Sequence, residues 1–208
     1  KRLTSATNPE SGTVYYSYDG NGNVTSKTDA LSRITCFGTL SGPAGSLVCD
    51  GLGYDGLDRV TSKSYSDGTP AVGYTYGADL AISGHTETNY PKGRLTQVGN
   101  SISTTTYRYD LLRRAQSSMQ TTNGFGYVFG YTYDPVGLAT EVYPSGRVVT
   151  NGYDGSGRVN SVTGAMAGSA ATNYATGVTY APQGAVEQMT MGNNNLLTEA
   201  TAFNARLQ

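Results

Sequence analysis

Val14-Tyr15-Tyr16-Ser17-Tyr18-Asp19-Gly20-Asn21-Gly22-Asn23-Val24-Thr25-Ser26-Lys27-Thr28 decides how the rest of the chain is read. Ahead of Asp19, Val14, Tyr16 and Tyr18 alternate with Tyr15 and Ser17, the period of two that a β-strand imposes on its side chains. Asp19-Gly20-Asn21-Gly22 then has the chemistry of a type I turn closed by a bulge. Asp at the first position accepts backbone N–H groups, and Gly at the fourth supplies the left-handed conformation. Asn23 to Thr28 runs back as a second strand, so the stretch is a β-hairpin.

The hairpin repeats along the chain. Near-full copies are Tyr54-Asp55-Gly56-Leu57-Asp58-Arg59-Val60, Tyr109-Asp110-Leu111-Leu112-Arg113-Arg114-Ala115, Tyr133-Asp134-Pro135-Val136-Gly137-Leu138-Ala139 and Tyr153-Asp154-Gly155-Ser156-Gly157-Arg158-Val159. Tyr180-Ala181-Pro182-Gln183-Gly184-Ala185-Val186 is degenerate, and Tyr76-Gly77 and Phe203-Asn204 are eroded anchors. Pro135 and Pro182 stand at the second turn position, where their fixed φ suits a type I turn. Asp58 is tolerable at the left-handed position, whereas Arg113 fits it poorly and marks a strained copy. A weaker signature, in Leu31-Ser32-Arg33-Ile34, Pro91-Lys92-Gly93-Arg94-Leu95 and Pro144-Ser145-Gly146-Arg147-Val148, predicts the opposite turn leading into the next strand. The expected fold is therefore all-β, an antiparallel meander of about seven or eight hairpins. Leu196 to Ala205 is the one helix-like stretch, and its Thr content favours a strand.

Composition agrees. Of 208 residues, 28 are Gly, 28 Thr, 17 Tyr and 13 Asn, with no Trp. Thr and Tyr favour pleated surfaces, and Gly and Asn favour turns. A net charge of −1 with dispersed Lys and Arg argues against a nucleic-acid partner held by phosphate neutralisation. No run approaches the ~20 apolar residues of a membrane helix. The chain opens at Lys1-Arg2-Leu3 without an initiator Met and stops in mid-unit at Phe203-Asn204-Ala205-Arg206-Leu207-Gln208. That reads as one array, residues 1–208, of a longer polypeptide, with any targeting signal lying elsewhere.

Tyr16-Ser17-Tyr18-Asp19, Tyr107-Arg108-Tyr109-Asp110 and Tyr131-Thr132-Tyr133-Asp134, with turn glycines and Arg or Asn before an apolar residue, resemble the YD repeats of the RHS family. Bacterial polymorphic toxins, insecticidal toxin-complex shells, wall-associated proteins and teneurins belong to that family. The resemblance covers nearly the whole chain. It implies a curved or spiralling β-sheet, part of a hollow shell, often built around a toxin or other cargo.

The aromatic anchors lie 20 to 36 residues apart, and the long gaps place insertions near 36–49, 79–88 and 165–171. Cys36 and Cys49, the only cysteines, bracket the first. They read either as a disulfide, worth roughly 3 kcal/mol by loop entropy and suited to an exported protein, or as two reduced thiols on neighbouring strands. Two Cys and the single His85 are too few ligands for a metal site. His85 sits in a polar loop without a nucleophile elbow, so no Ser–His–acid triad is expected. The repeat carboxylates Asp19, Asp55, Asp110, Asp134 and Asp154 each have a turn to cap. Gly20-Asn21-Gly22 lacks the following helix that a phosphate cradle needs. Asn23-Val24-Thr25 is a glycosylation sequon that falls inside the turn. Asp134-Pro135-Val136-Gly137-Leu138 resembles the signature near the self-cleaving end of RHS shells, but lies within an ordinary repeat and reads as a turn, with no autoproteolysis expected.

The expected function is a non-enzymatic wall of an RHS-like secreted or cell-surface protein, without catalytic, cofactor-binding or metal residues. Its structural positions are Tyr18, Asp19, Gly22, Tyr54, Asp55, Tyr109, Asp110, Tyr133, Asp134, Gly137, Tyr153, Asp154, Gly157, Tyr180 and Gly184. Its partners would be further YD repeats of the same polypeptide or copies of itself, joined at sheet edges, and a toxin cargo. The tyrosines would form cross-strand ladders on a sheet face. The alternative function uses that face to bind cell-surface carbohydrate or a receptor.

Overall fold

The computed structural model describes residues 2–43, 45–193 and 197–204. Sixteen strands form one sheet whose strand order follows the sequence order, each strand pairing with the next one of that sheet along the chain. This is the meander that tandem hairpins require.

The chain divides into two compact units. The first takes Lys1–Ile82, Thr86–Arg113 and Met119–Gly126. It holds β1 (Ser5–Asn8), β2 (Gly12–Tyr18), β3 (Val24–Thr28), β4 (Ile34–Cys36), β7 (Ser62–Tyr65), β8 (Val72–Tyr76), β9 (Leu95–Gly99) and β10 (Ser103–Tyr109). Between β4 and β7, the short strands β5 (Leu40–Ser41) and β6 (Val48–Cys49) pair apart from the main sheet. The second unit takes Ser83–His85, Arg114–Ser118 and Tyr127–Gln208. The strands β11 (Ala115–Thr122) and β12 (Phe125–Tyr133) are divided between the units. The second unit also holds β13 (Leu138–Val142), β14 (Arg147–Tyr153), β15 (Val159–Met166), β16 (Thr172–Tyr180), β17 (Val186–Met191) and β18 (Leu197–Ala200). β18 lies within the Leu196–Ala205 stretch, as its Thr content foretold. Leu196 and residues 205–208 fall outside the described residues.

Few side chains are fully enclosed. Cys36, Ile82 and Ala181 are the buried apolar residues among those described, and Thr96, Thr106, Arg108, Ser117 and Ser118 are buried polar ones. So small a set of enclosed side chains supplies little core burial. Cohesion must therefore come from the ladders and from side chains linking neighbouring hairpins, as in other repeat arrays.

The expected bulge recurs where the register shifts just before Tyr18, Tyr76, Tyr133, Tyr153 and Tyr180. Three expectations need correction. Pro91-Lys92-Gly93-Arg94-Leu95 is not an opposite turn. Gly77 donates to the Arg94 carbonyl at 2.9 Å and Tyr76 pairs with Leu95, so this segment closes the turn that Tyr76-Gly77 opens. The excursion interrupts that turn, which hid the copy. Second, Tyr133 pairs with Leu138, five residues on, where Tyr18, Tyr153 and Tyr180 each pair six residues on. The Pro135 turn is thus one residue shorter than its relatives. Third, the insertion expected at 165–171 is only a hairpin tip. Ala165 and Met166 stay in β15, paired with Val148 and Arg147, because β14 is long enough to hold them.

The excursion after Gly77 is tied to β10. Arg108, 7% exposed, donates to the carbonyls of Leu80 at 3.0 Å and of Glu87. Asn89 accepts from the Tyr109 N–H at 2.8 Å and donates to Asp79 at 2.9 Å. In the first insertion Cys36 and Cys49 are joined as a disulfide, with Cα atoms 5.5 Å apart.

Candidate functional site: a clamp between hairpins

Each Asp of the repeat first builds its own turn. Asp55 Oδ1 accepts the N–H groups of Leu57 at 2.9 Å and Arg59 at 3.0 Å. Asp154 Oδ1 accepts those of Ser156 at 2.8 Å and Arg158 at 2.9 Å. Asp19 and Asp134 do the same in their turns. The fourth turn residue is left-handed in Gly22, Gly157 and Gly184, with φ of 102°, 76° and 89°. Asp58 and Arg113 take that conformation at 58° and 65°, so the Arg113 copy keeps the turn at the expected strain.

The second carboxylate oxygen then grips an arginine. Asp55 Oδ2 receives Arg59 Nε at 2.8 Å and Nη2 at 2.6 Å. Asp154 Oδ2 receives Arg158 Nε at 2.9 Å and Nη2 at 2.8 Å. This two-pronged geometry fixes the guanidinium plane. The side-chain bond from Arg59, ahead of the backbone N–H bonds, lowers the Asp55 pKa to about 2. In Asp154 the Arg158 N–H leads the same lowering.

The oriented guanidinium lies on the repeat tyrosine of the next hairpin. Arg59 is 4.2 Å from the Tyr76 ring centroid, Arg114 4.2 Å from Tyr133, and Arg158 4.6 Å from Tyr180. Arg2 and Arg94 stand more loosely over Tyr18 and Tyr109, at 5.6 and 5.9 Å. That tyrosine's hydroxyl reaches back to the residue following the arginine. Tyr18 donates to the Leu3 carbonyl at 2.7 Å, Tyr76 to Val60 at 3.0 Å, and Tyr109 to Leu95 at 2.5 Å. Tyr133 donates to Ala115 at 2.8 Å and Tyr180 to Val159 at 2.7 Å.

Two clamps keep the hydroxyl bond without the arginine. Tyr54 donates to Val24 at 2.8 Å, and its ring stacks on Phe37 of the disulfide insertion at 5.7 Å. Tyr153 donates to Leu138 at 2.9 Å. The short turn before it ends in Gly137, whose missing Cβ would stand 2.9 Å from the Tyr153 hydroxyl.

The repeat tyrosines are thus hydrogen-bonded clamps between successive hairpins, rather than the aromatic ladders expected. The two ring pairs among the described residues each join a Phe to a Tyr. The arginine's part went unread, although Asp-x-x-x-Arg stands plainly in 29–33, 55–59, 110–114 and 154–158. The other candidates stay apart from this system. His85 lies in the excursion, with its ring edge against Gly130. Asp50 neighbours the disulfide but accepts the N–H groups of Thr39 and Leu52. The sequon amide of Asn23 donates to Asp19 and Asp58 at 2.9 and 2.7 Å.

The RHS Repeat family model matches residues 1–34, which span the Arg2–Tyr18 clamp and the first hairpin. Residues 1–34 thus match an RHS repeat. Among solved structures, it is similar to a chain in the crystal structure of TcdB2-TccC3-Cdc42, with a TM-score of 0.74, 12% identity, and coverage of 96% of this chain and 10% of that one. The TcdB2-TccC3 structure without its hypervariable C-terminal region gives 0.71, 13%, 93% and 10%. A Tc holotoxin pore of Photorhabdus luminescens with a TccC3 mutation gives 0.70, 13%, 97% and 10%. At these identities the likeness is one of fold, and the chain spans about a tenth of the solved chains it matches. No curated protein matches in sequence.

Proposed function

We propose that these repeats form a section of the wall of a secreted RHS shell, enclosing a toxin or other polypeptide cargo and performing no turnover. The observation that carries this reading is the clamp. It ties each hairpin to the one before it by the same hydroxyl bond from Tyr18 to Tyr180, a construction that adds units without limit. The wall continues through further repeats at its edge strands. β1 and β18 are exposed along their whole lengths and end the strand order, and unpaired edges accept another strand. The isolated chain associates with copies of itself through the same edges. The disulfide suits an oxidising, extracellular setting.

Light scattering over a concentration series tests the edges. Masses climbing well above the 21.8 kDa of the chain support edge pairing, and a constant monomer refutes it. For the wall, the parent polypeptide is treated with protease. Survival of the segment beyond the repeats in the intact shell, and its loss when Tyr76→Ala and Tyr109→Ala open the clamps, is the expected result. Equal digestion in both refutes enclosure.

A further inference from the structure

Asp29 and Arg33 build the same fork as the clamps, in the turn between β3 and β4, at the opposite end of these strands from Asp19. Asp29 Oδ1 accepts the N–H groups of Leu31 at 3.0 Å and Arg33 at 2.9 Å, and Oδ2 receives Arg33 Nε and Nη2, each at 2.7 Å. Among the described residues no ring covers this guanidinium. The Arg33 side chain is 56% exposed, against 30% for Arg59 and 41% for Arg158, which lie on Tyr76 and Tyr180.

Strand register shows what replaces the ring. In the Arg59 clamp, Tyr74 donates to the Thr61 carbonyl at 2.9 Å, so Val60 stands opposite Thr75 and Tyr76 comes next. Beside Arg33, Ser66 donates to the Ile34 carbonyl at 3.0 Å, so Ile34 stands opposite Ser66 and Asp67 comes next. Asp67 therefore holds the position of the clamp tyrosine with a much smaller side chain. A cleft of about 300 Å³ lies there, and its lining includes Lys27, Asp29, Arg33, Tyr65, Asp67 and Thr69. Lys27 pairs with Thr35 and Thr35 with Tyr65, so Lys27 and Tyr65 share one face of the sheet. Asp29 and Arg33 neutralise each other. Asp67 accepts the Thr69 N–H at 3.1 Å, and neither it nor the Lys27 ammonium has an ion-pair partner among the described residues.

We propose that this cleft binds a free aromatic amino acid. Its ring lies on the Arg33 guanidinium, as Tyr76 lies against Arg59, with the fork to Asp29 holding the guanidinium plane in place. Its carboxylate pairs with Lys27 and its ammonium with Asp67, the two charges that the chain leaves unpaired. Small-molecule sites span about 300–1,000 Å³, and a cleft at the bottom of that range suits a single amino acid. The site does not depend on the wall reading.

Saturation-transfer difference NMR on the 208-residue chain, titrated with L-tryptophan, tests the site, because it reads weak ligands even on associated particles. Saturable transfer, strongest at the indole protons, is expected. N-acetyltryptophanamide keeps the ring without the charges and L-leucine keeps the charges without the ring, so each should bind several-fold more weakly. Arg33→Gln should weaken L-tryptophan about fivefold by removing the cation beneath the ring. Lys27→Met should weaken it a few-fold, and it alters only an exposed side chain, so it tests the site even if other variants fail to fold. Asp67→Tyr puts a ring back at the clamp position and should abolish the transfer. No saturable transfer, equal binding of either comparator, unchanged affinity in Lys27→Met, or binding that survives in folded Asp67→Tyr overturns the proposal. Because the cleft is remote from edge pairing in its chemistry, failure here leaves the light-scattering result intact.

Discussion

Arg59 and Tyr76 allow the clamp to be measured as a coupling energy. The guanidinium is 4.2 Å from the ring centroid, and its forked pair with Asp55 has side chains 30% and 24% exposed. An exposed cation–π contact contributes about 0.5–1 kcal/mol, and a pair this accessible to water roughly 0.2–1 kcal/mol. Arg59→Ala should therefore cost about 1–2 kcal/mol. Tyr76→Phe keeps the ring and removes only the 3.0 Å bond to the Val60 carbonyl, for about 1 kcal/mol. In a cycle of Arg59→Ala with Tyr76→Leu, the coupling should be about 0.5–1 kcal/mol, because only the stacking is shared. Arg59→Lys should recover less than half of the Arg59→Ala loss, since an ammonium cannot bind the carboxylate two-pronged and lie flat on the ring. Urea unfolding followed by far-UV circular dichroism reads all four values. A coupling indistinguishable from zero, with Tyr76→Phe neutral, would refute the clamp.

Acid should weaken the turns in a defined window. The Asp55 pKa is lowered to about 2 from 3.8, so its contribution is fully present above pH ~4 and is lost as pH falls towards 2. Thermal midpoints measured between pH 5 and 2 should fall less in Asp55→Asn than in the parent, and parallel curves would sink the assignment. Gly53→Ala should be severely destabilising, because its Cβ would overlap the Phe37 carbonyl carbon and the Gly38 nitrogen, and backbone cannot move aside as a side-chain tip can. Gly56→Ala, with nothing within 4 Å, should be near neutral, and equal midpoints for the two would contradict the packing of the insertion. Reducing the Cys36–Cys49 disulfide should lower stability by about 2–3 kcal/mol through loop entropy. Unfolding with and without reductant measures this, and superimposable curves would show that the loop's hydrogen bonds suffice alone.

The local conformation was readable because it is dictated locally. Alternation of Tyr16 and Tyr18, a carboxylate at Asp19 and a left-handed position at Gly22 leave the backbone few choices. What failed was counting along the chain. The Tyr76 turn is split by a long excursion, and the Tyr133 turn is one residue short, so their true partners are defined by hydrogen bonds that spacing cannot reveal. The purpose of the tyrosines was also hidden. Period-two placement says that Tyr180 faces one side of a sheet. It cannot say that the hydroxyl reaches the Val159 carbonyl of the preceding hairpin.

By itself, then, the sequence determined the hairpin, its turn chemistry, its repetition and the RHS resemblance, since each rests on residues a few positions apart. Tertiary structure alone decided that Arg59 lies on Tyr76 and that Tyr174 lies over Gly164. These contacts depend on where one strand comes to rest beside another, and a bulge or a shortened turn changes that placement without changing the local pattern that announces the strand.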